Sequence, residues 1–373
     1  MKTAVILFCR PGYEATCAQE VTDHLVEAGV PDSKTRLQAQ KGLVFCEVPE
    51  VRPDELRKVL KLSQLIFTRQ ILWNAVALEK LPQKCKAEPV AAAIGTMFRN
   101  TDPLYLNLRI TSPDFDPGDD LKKFCKKFQQ PLENSLKKSG FKKVYSRKDL
   151  PDIVVCFTDY ETAWVSLSHP GDSSPHDGGI IRLKFPKDAP SRSTLKLEEA
   201  FHQFMPGGAW EAYLQPDKKA TDLGACPGGW TWQFVSRGIH VTAVDHGKID
   251  NRLMKTGLVD HLEEDAFTFK PRKRADILVC DVADRPSKVA TMLTRWMHNQ
   301  LSDMIICNLK LPMKKKYEEV QKCLEIFRHQ GAVRDKDILL AKHLYHNRDE
   351  VTVFWHRPGP KPTRSKARPK KKR

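Results

Sequence analysis

From residue 220 onward the sequence keeps returning to one pattern: a short apolar run closed by an acid or a turn residue, then a stretch with helical spacing. "ATDLGA", "HVTAVD", "DILVCD" and "MIICNLK" are four such runs, and "VTVFW" is the last. Runs that are apolar at nearly every position fit strands buried on both faces. Strands that alternate with helices pair in parallel, so this half is expected to be an α/β domain with a parallel sheet between helices. Open sheets of that kind bind ligands at the carboxyl ends of their strands.

The chain reads differently before about residue 170. "GLVFCEV", "LYLNLRI" and "DIVVCF" are strand candidates separated by helical stretches, the pattern of small α+β domains. The opening "MKTAVILFC" reads as a first strand, because Arg10 and Pro11 break it too early for a signal peptide. "HPGDSSPHDGGIIRLKFPKDAPSRS" is dense in Gly, Pro, Ser and Asp and reads as a linker. No run approaches the ~18 apolar residues of a membrane span. The ten cysteines, spread from Cys9 to Cys323 without a CxxC pair, suit free thiols in a reducing cytoplasm, and no metal site is expected.

A net charge of +16 favours a polyanionic partner, and its distribution matters more than its size. Lys361, Arg364, Lys366, Arg368, Lys370, Lys371, Lys372 and Arg373 place eight positive charges in the last thirteen residues. Such a Pro-rich tail is expected to be disordered, either as a solubilising segment or as an RNA arm that neutralises phosphates. In "LKKFCKKFQQPLENSLKKSGFKKVYSRK" the apolar residues Leu121, Phe124, Phe128, Leu132 and Leu136 recur at helical spacing, which predicts an amphipathic helix with lysines on its outer face.

"DLGACPGG" follows the first strand of the second half, and "WTWQFVSRG" continues it as a helix. Gly224, Gly228 and Gly229 are expected to let backbone amides approach a ligand at a helix N-terminus. The spacing is not the GxGxxG of a dinucleotide site, which disfavours NAD. Asp245, Asp265 and Asp281 follow three successive strands, where carboxylates can meet ribose hydroxyls and an adenine amino group. Without a P-loop lysine, the set points to S-adenosylmethionine over a nucleoside triphosphate. Cys226 reads as a small turn residue, and core packing is expected of at least one of Trp230 and Trp232.

Lys196, Lys310 and Glu350 remain. Lys196 lies in "SRSTLKLEEAF", on a helix expected to be capped by Ser191 or Ser193; Lys310 ends "MIICNLK"; Glu350 opens the last strand. With Asp281 they suit transfer to a sugar hydroxyl, a very weak acid that gains from a base within hydrogen-bond reach. Burial and a second ammonium can favour the neutral amine such a base requires.

The order Lys196, "DLGACPGGW", Asp281, Lys310 and Glu350 resembles the K-D-K-E tetrad of the RNA 2′-O-ribose methyltransferases of the fibrillarin and FtsJ type. "PSRSTLKLEEAFH", "DLGACPGGWT", "NLKLPMKK" and "LYHNRDEVTV" are closer still to bacterial members that act on 23S ribosomal RNA. The resemblance implies a Rossmann-like S-adenosylmethionine-dependent methyltransferase sheet over 191–357, behind a ferredoxin-like part over 1–59 and a THUMP-like RNA-binding domain over 60–168. Residues 169–190 would be the linker and 358–373 the basic tail. It implies methylation of the ribose 2′-hydroxyl of a cytidine in the peptidyl-transferase loop; a cytoplasmic monomer with no membrane partner is expected. Lys310 would accept the proton, Lys196 and Asp281 would orient and polarise the hydroxyl, and Glu350 would hold the ammonium network. Cofactor contacts would fall on Ser193, Cys226, Pro227, Gly228, Gly229, Asp245, Asp265 and Asp281. The alternatives are a base or tRNA methyltransferase, or a non-catalytic rRNA-binding assembly factor. The first should carry an NPPY-like motif or a catalytic cysteine where "CDVADRP" stands, and the second should have lost a tetrad member.

Overall fold

The computed structural model describes residues 3–31, 35–48, 51–114, 120–331 and 333–358; the basic tail expected over 358–373 lies, apart from its first residue, outside them. The chain divides into two compact units. The first comprises Met1–Lys184 with Pro312–Glu318 and Ala341–Val351; the second comprises Phe185–Leu311 with Glu319–Leu340 and Thr352–Arg373.

The amino-terminal elements are β1 (Thr3–Phe8), α1 (Glu14–Glu27), β2 (Arg36–Gln40), β3 (Leu43–Glu47), α2 (Pro53–Val59), β4 (Gln70–Leu78), α3 (Ala87–Met97), β5 (Leu104–Tyr105), β6 (Leu108–Thr111), α4 (Asp120–Lys138), β7 (Lys142–Lys143), β8 (Asp152–Phe157) and β9 (Ala163–Ser168). One seven-stranded sheet runs β2-β3-β1-β4-β9-β8-β6, with β4 pairing antiparallel to both β1 and β9. The run "LYLNLRI", expected as one strand, is two. β5 pairs with β7 in a separate small sheet, whereas β6 lies parallel to β8. The chain changes sheets at Leu106 and Asn107, where the Leu106 amide donates to the Pro151 carbonyl and the Asn107 side chain donates to Asp152.

The predicted amphipathic helix is α4. Leu121, Phe128, Leu132 and Leu136 enter the core formed with Ile153, Val155 and Phe157, while Lys126, Lys127, Lys137 and Lys138 are exposed. Each buried leucine or phenylalanine is worth about 1.5–3 kcal/mol of apolar burial, which fixes the rotation of the helix and so the direction of its lysines. The Gly/Pro/Ser-rich segment after β9 packs back on β4 and β6: Trp73 donates to the Asp172 carbonyl (3.0 Å), Ser173 donates to the Ile71 carbonyl (2.8 Å), and Arg109 donates to the Ser174 carbonyl (2.8 Å).

The later elements are α5 (Thr194–Phe204), β10 (Lys219–Leu223), α6 (Gly229–Val235), β11 (His240–Val244), α7 (Asn251–Met254), β12 (Val259–Leu262), β13 (Ile277–Cys280), α8 (Pro286–His298), β14 (Met304–Lys310), α9 (Lys316–Gln330), β15 (Ile338–Lys342) and β16 (Glu350–His356). Their sheet has the order β12-β11-β10-β13-β14-β16-β15, and β12, β11, β10, β13 and β14 are mutually parallel. Every residue of β13 is buried, as its unbroken apolar run requires of a strand covered on both faces. All ten cysteines are free. Among the described residues no helix is long and apolar enough to cross a membrane.

Candidate active site at the carboxyl edge of the parallel sheet

Strand register builds the site. Leu223 lies opposite both Val244 and Cys280, so the residues that follow them, Gly224, Asp245 and Asp281, leave three adjacent strands in one row. Two further backbone bonds lock the row: the Gly224 amide donates to Val244 (2.9 Å), and the Asp281 amide donates to Leu223 (3.1 Å). Asp265 stands three residues past the end of β12 and is exposed.

The glycines serve the protein's own backbone first. Gly224 and Gly228 have φ of +77° and +108°, a region that favours residues without a Cβ. A Cβ at Gly224 would also come within 2.9 Å of Val282 Cγ2, and one at Gly229 would collide with the hydroxyls of Ser191 and Ser193. The turn is therefore free of side chains because β13's exit and the start of α5 press against it, a reason the sequence reading did not supply.

Contact with the turn places Lys196. Trp230, buried at the start of α6, donates from Nε1 to the Ser193 carbonyl (3.0 Å), and Gln233 donates to Thr194 Oγ1 (2.8 Å). These two bonds fasten the first turn of α5, which presents Lys196 at its third residue. The expected hydroxyl cap is not formed. Ser193 occupies the cap position, but its Oγ lies 2.6 Å from Ser191 Oγ and makes no capping bond. Of the two tryptophans, Trp230 is core and Trp232 is half-buried.

Three of the predicted catalytic residues meet. Lys310 Nζ donates to Asp281 Oδ1 at 2.9 Å, and Lys196 Nζ stands 3.5 Å from Asp281 Oδ2, with the Lys196 and Asp281 side chains only 16% exposed. One carboxylate thus lies between two amines. Asn308, two residues before Lys310 on the same face of β14, also donates to Asp281 Oδ1 (3.1 Å) and accepts from Thr352 Oγ1 (2.7 Å). Glu350 is buried at the first position of β16, and its Oε2 accepts from the Arg348 amide (2.6 Å); it groups with the first unit.

The acids predicted to meet a cofactor also shape the loops that carry them. Asp245 accepts from the Cys226 amide (3.0 Å) through one oxygen and from the Gly247 amide (2.7 Å) through the other. Asp265 accepts from the Phe267 amide (2.9 Å). Cys226 is joined to Pro227 by a cis peptide. Burial and then the Asp245 carboxylate push its thiol above the ordinary value, the opposite of what a nucleophile needs.

Two residues escaped the sequence reading. Asn308 is a polar residue inside an otherwise apolar strand, at the spacing that shares a face with Lys310. Asp222 is an acid inside β10, fully buried, with Oδ2 accepting from Thr231 (2.7 Å) and Oδ1 without a hydrogen-bond partner among the described residues. Burial, and after it the charges of Asp281 and Asp245, push its carboxyl up to about 7. The signal for both was a polar side chain interrupting an apolar run.

Comparison with known proteins identifies the family. Residues 189–347 match the FtsJ-like methyltransferase family, residues 1–72 the RlmM ferredoxin-like domain, and residues 88–169 the N-terminal domain of ribosomal RNA large subunit methyltransferase M. Ribosomal RNA large subunit methyltransferase M of Shewanella putrefaciens is 42% identical over 95% of this chain and 98% of its own length, and that of Shewanella sp. strain ANA-3 shows the same identity and coverage. Among solved structures, TrmN from Thermus thermophilus is 14% identical with a TM-score of 0.35, covering 95% of this chain and 99% of its own. At 42% identity over almost its whole length, the chain belongs to the ribosomal RNA large subunit methyltransferase M family.

Proposed function

We propose that this chain transfers a methyl group from S-adenosylmethionine to the ribose 2′-hydroxyl of a cytidine in the peptidyl-transferase loop of 23S ribosomal RNA. The observation that carries the reading is the Asp281 carboxylate held between Lys310 and Lys196 at the carboxyl edge of the parallel sheet, in a member of a ribosomal RNA methyltransferase family.

The residues fit the cofactor. S-adenosylmethionine carries a sulfonium and an ammonium, and the edge it would occupy gathers Asp245 and Asp281 beside Asp222, whose carboxyl is raised by burial and after it by the charges of Asp281 and Asp245. Such a field complements a cation and opposes a polyphosphate. Asp245 and Asp265 each retain acceptor capacity beyond their backbone bonds for ribose hydroxyls and an adenine amino group, and Ser193 with Cys226, Pro227, Gly228 and Gly229 would form the wall beside them.

When bound, the cofactor supplies an electrophilic methyl group. This chain's residues then act on the hydroxyl. Lys310 accepts the hydroxyl proton at Nζ as the oxygen attacks. Lys196 and Asp281 orient the hydroxyl, and Glu350 holds the ammonium network. Holding the oxygen in line with the methyl carbon supplies much of the rate, because it removes the entropy of bringing two reactants together. RNA binding is assigned to the ferredoxin-like part over 1–59 and the THUMP-like part over 60–168, where the lysines of α4 offer phosphate contacts.

The test is tritium transfer from labelled S-adenosylmethionine to protein-free 23S ribosomal RNA, followed by alkaline hydrolysis. Label in an alkali-resistant linkage at a cytidine is expected. Label on an alkali-sensitive nucleotide would move the protein to the base-methylating class, and absence of label would require an assembling particle as substrate or a non-catalytic role.

A further inference from the structure

Within the first unit, residues 343–349 lead into Glu350, and side chains from the first 70 residues of the chain hold them. Their backbone carbonyls at 343, 344, 345, 347 and 348 are taken up by side chains. Arg69 donates to His343 (3.5 Å) and Leu344 (3.3 Å), Arg10 donates to Tyr345 (3.1 Å) and Asn347 (2.5 Å), and the Tyr13 hydroxyl reaches Arg348 (3.4 Å). The Tyr13 hydroxyl also donates to Asp349 Oδ1 at 2.6 Å, and Lys316 approaches the same oxygen at 3.3 Å. The Tyr13 ring packs against the His343 ring with centroids 4.2 Å apart. Burial of that imidazole, reinforced by the nearby Arg69 charge, pulls it down to about 3, so it stays neutral and its Nε2 can bond the Arg348 carbonyl at 3.0 Å.

The segment then closes on the glutamate. The Arg348 amide donates to Glu350 Oε2 (2.6 Å), and the Asn347 side chain donates to the Glu350 carbonyl (3.1 Å). The other end is anchored as firmly. Lys342, fully buried, donates to the Leu62 (2.8 Å) and Leu65 (2.6 Å) carbonyls, and the neighbouring Ile66 and Phe67 amides donate to the buried carboxylate of Glu20 in α1. Burial pulls the Lys342 amine down and pushes the Glu20 carboxyl up, and the attraction between them opposes both shifts. With the carbonyls of residues 343, 344, 345, 347 and 348 each held by a side-chain donor, the stretch is tied in place, because releasing any of them costs a hydrogen bond.

We propose that Arg10, Tyr13 and Arg69 are positioning residues for methyl transfer, acting through residues 343–349 on Glu350. The proposal rests on Glu350 belonging to the catalytic group. Residues 1–72, which match the ferredoxin-like domain, then set the geometry of a catalytic side chain nearly the whole length of the chain away in sequence.

The test uses the full chain, with single-turnover rates at saturating S-adenosylmethionine and large-subunit ribosomal RNA, alongside the affinity for each and the unfolding temperature. Tyr13→Phe keeps the ring against His343 and removes only the hydroxyl. Asp349→Asn, at an exposed carboxylate, alters the same link from the other side without putting folding at stake. Each is expected to slow transfer about tenfold, as displacement of a positioned group does, with both affinities unchanged within about twofold. Arg10→Ala should do the same and Arg10→Lys should partly restore the rate. In a Glu350→Gln background, Tyr13→Phe should change the rate by less than about twofold, because the path to the chemistry is already cut. If Glu350→Gln is slow but Tyr13→Phe and Asp349→Asn are as fast as wild type, the positioning role is wrong. Equal losses from Tyr13→Phe in both backgrounds overturn it too, by showing an effect that bypasses Glu350. A Glu350→Gln protein with the wild-type rate would instead remove Glu350 from the catalytic group.

Discussion

Asp281 is shared unequally by two lysines: Lys310 donates to it at 2.9 Å from the end of its neighbouring strand, and Lys196 stands off at 3.5 Å from the first turn of a helix. Lys310 is also the more exposed of the two amines and so the more open to an incoming hydroxyl. Lys310→Ala should therefore lower the single-turnover rate by about 10²-fold or more, the usual range for a general base. Lys196→Ala should cost less. Calorimetry should find cofactor affinity within about twofold of wild type in both. A larger loss from Lys196→Ala would exchange their roles.

Asp245 ties the glycine turn to the loop after β11 through the Cys226 and Gly247 amides. Asp245→Ala should lose these two bonds together with any contact to a ribose. The expected result is at least a tenfold rise in the dissociation constant for S-adenosylmethionine by calorimetry, about 1.4 kcal/mol. Unchanged affinity would show that the cofactor lies elsewhere.

Gly229 is packed, not merely permissive. Gly229→Ala would drive a methyl group into the Ser191 and Ser193 hydroxyls at the start of α5, an overpacking that costs about 1–3 kcal/mol. Thermal unfolding of the cofactor-free protein should report a lower midpoint, and adding Ser191→Ala and Ser193→Ala should recover most of it. No recovery would mean that the glycine is required for another reason.

The unbroken apolar runs made the parallel sheet legible, and acids at the ends of those runs marked its carboxyl edge, because burial on two faces and strand direction both leave traces in local composition. Lys196, Asp281 and Lys310 could be named one by one, but their meeting depends on register: Leu223 opposite Cys280 and Cys280 opposite Cys307 bring Asp281 and Asn308 level across β13 and β14. Register is a long-range property that no short window contains. The cap expected of Ser191 or Ser193 failed for a related reason, since the two hydroxyls bond each other where the glycine turn packs beside them. Nothing near residue 10 or 13 announced a role toward residues 343–349, because Arg and Tyr beside a strand end are ordinary and their partners lie over 330 positions away.

Asp222 should make stability and cofactor affinity respond to pH in opposite senses. Its folded-state value, raised by burial to about 7 from an ordinary 3.8, means that the folded protein holds a proton the unfolded chain has already released. The stability contributed by the neutral carboxyl is complete below about pH 4 and is lost as pH rises through 7, at up to about 1.4 kcal/mol per pH unit. Asp222→Asn keeps an acceptor for Thr231 and has no charge to bury, so the variant should match wild type near pH 4 and unfold at a higher temperature at pH 8. A cationic cofactor instead favours the charged carboxylate. The same variant should therefore bind S-adenosylmethionine more weakly than wild type at pH 8, with the difference shrinking towards pH 5. Unfolding curves and calorimetry at the three pH values separate the two effects, and parallel pH profiles for wild type and Asp222→Asn would show that Asp222 does not titrate within this window.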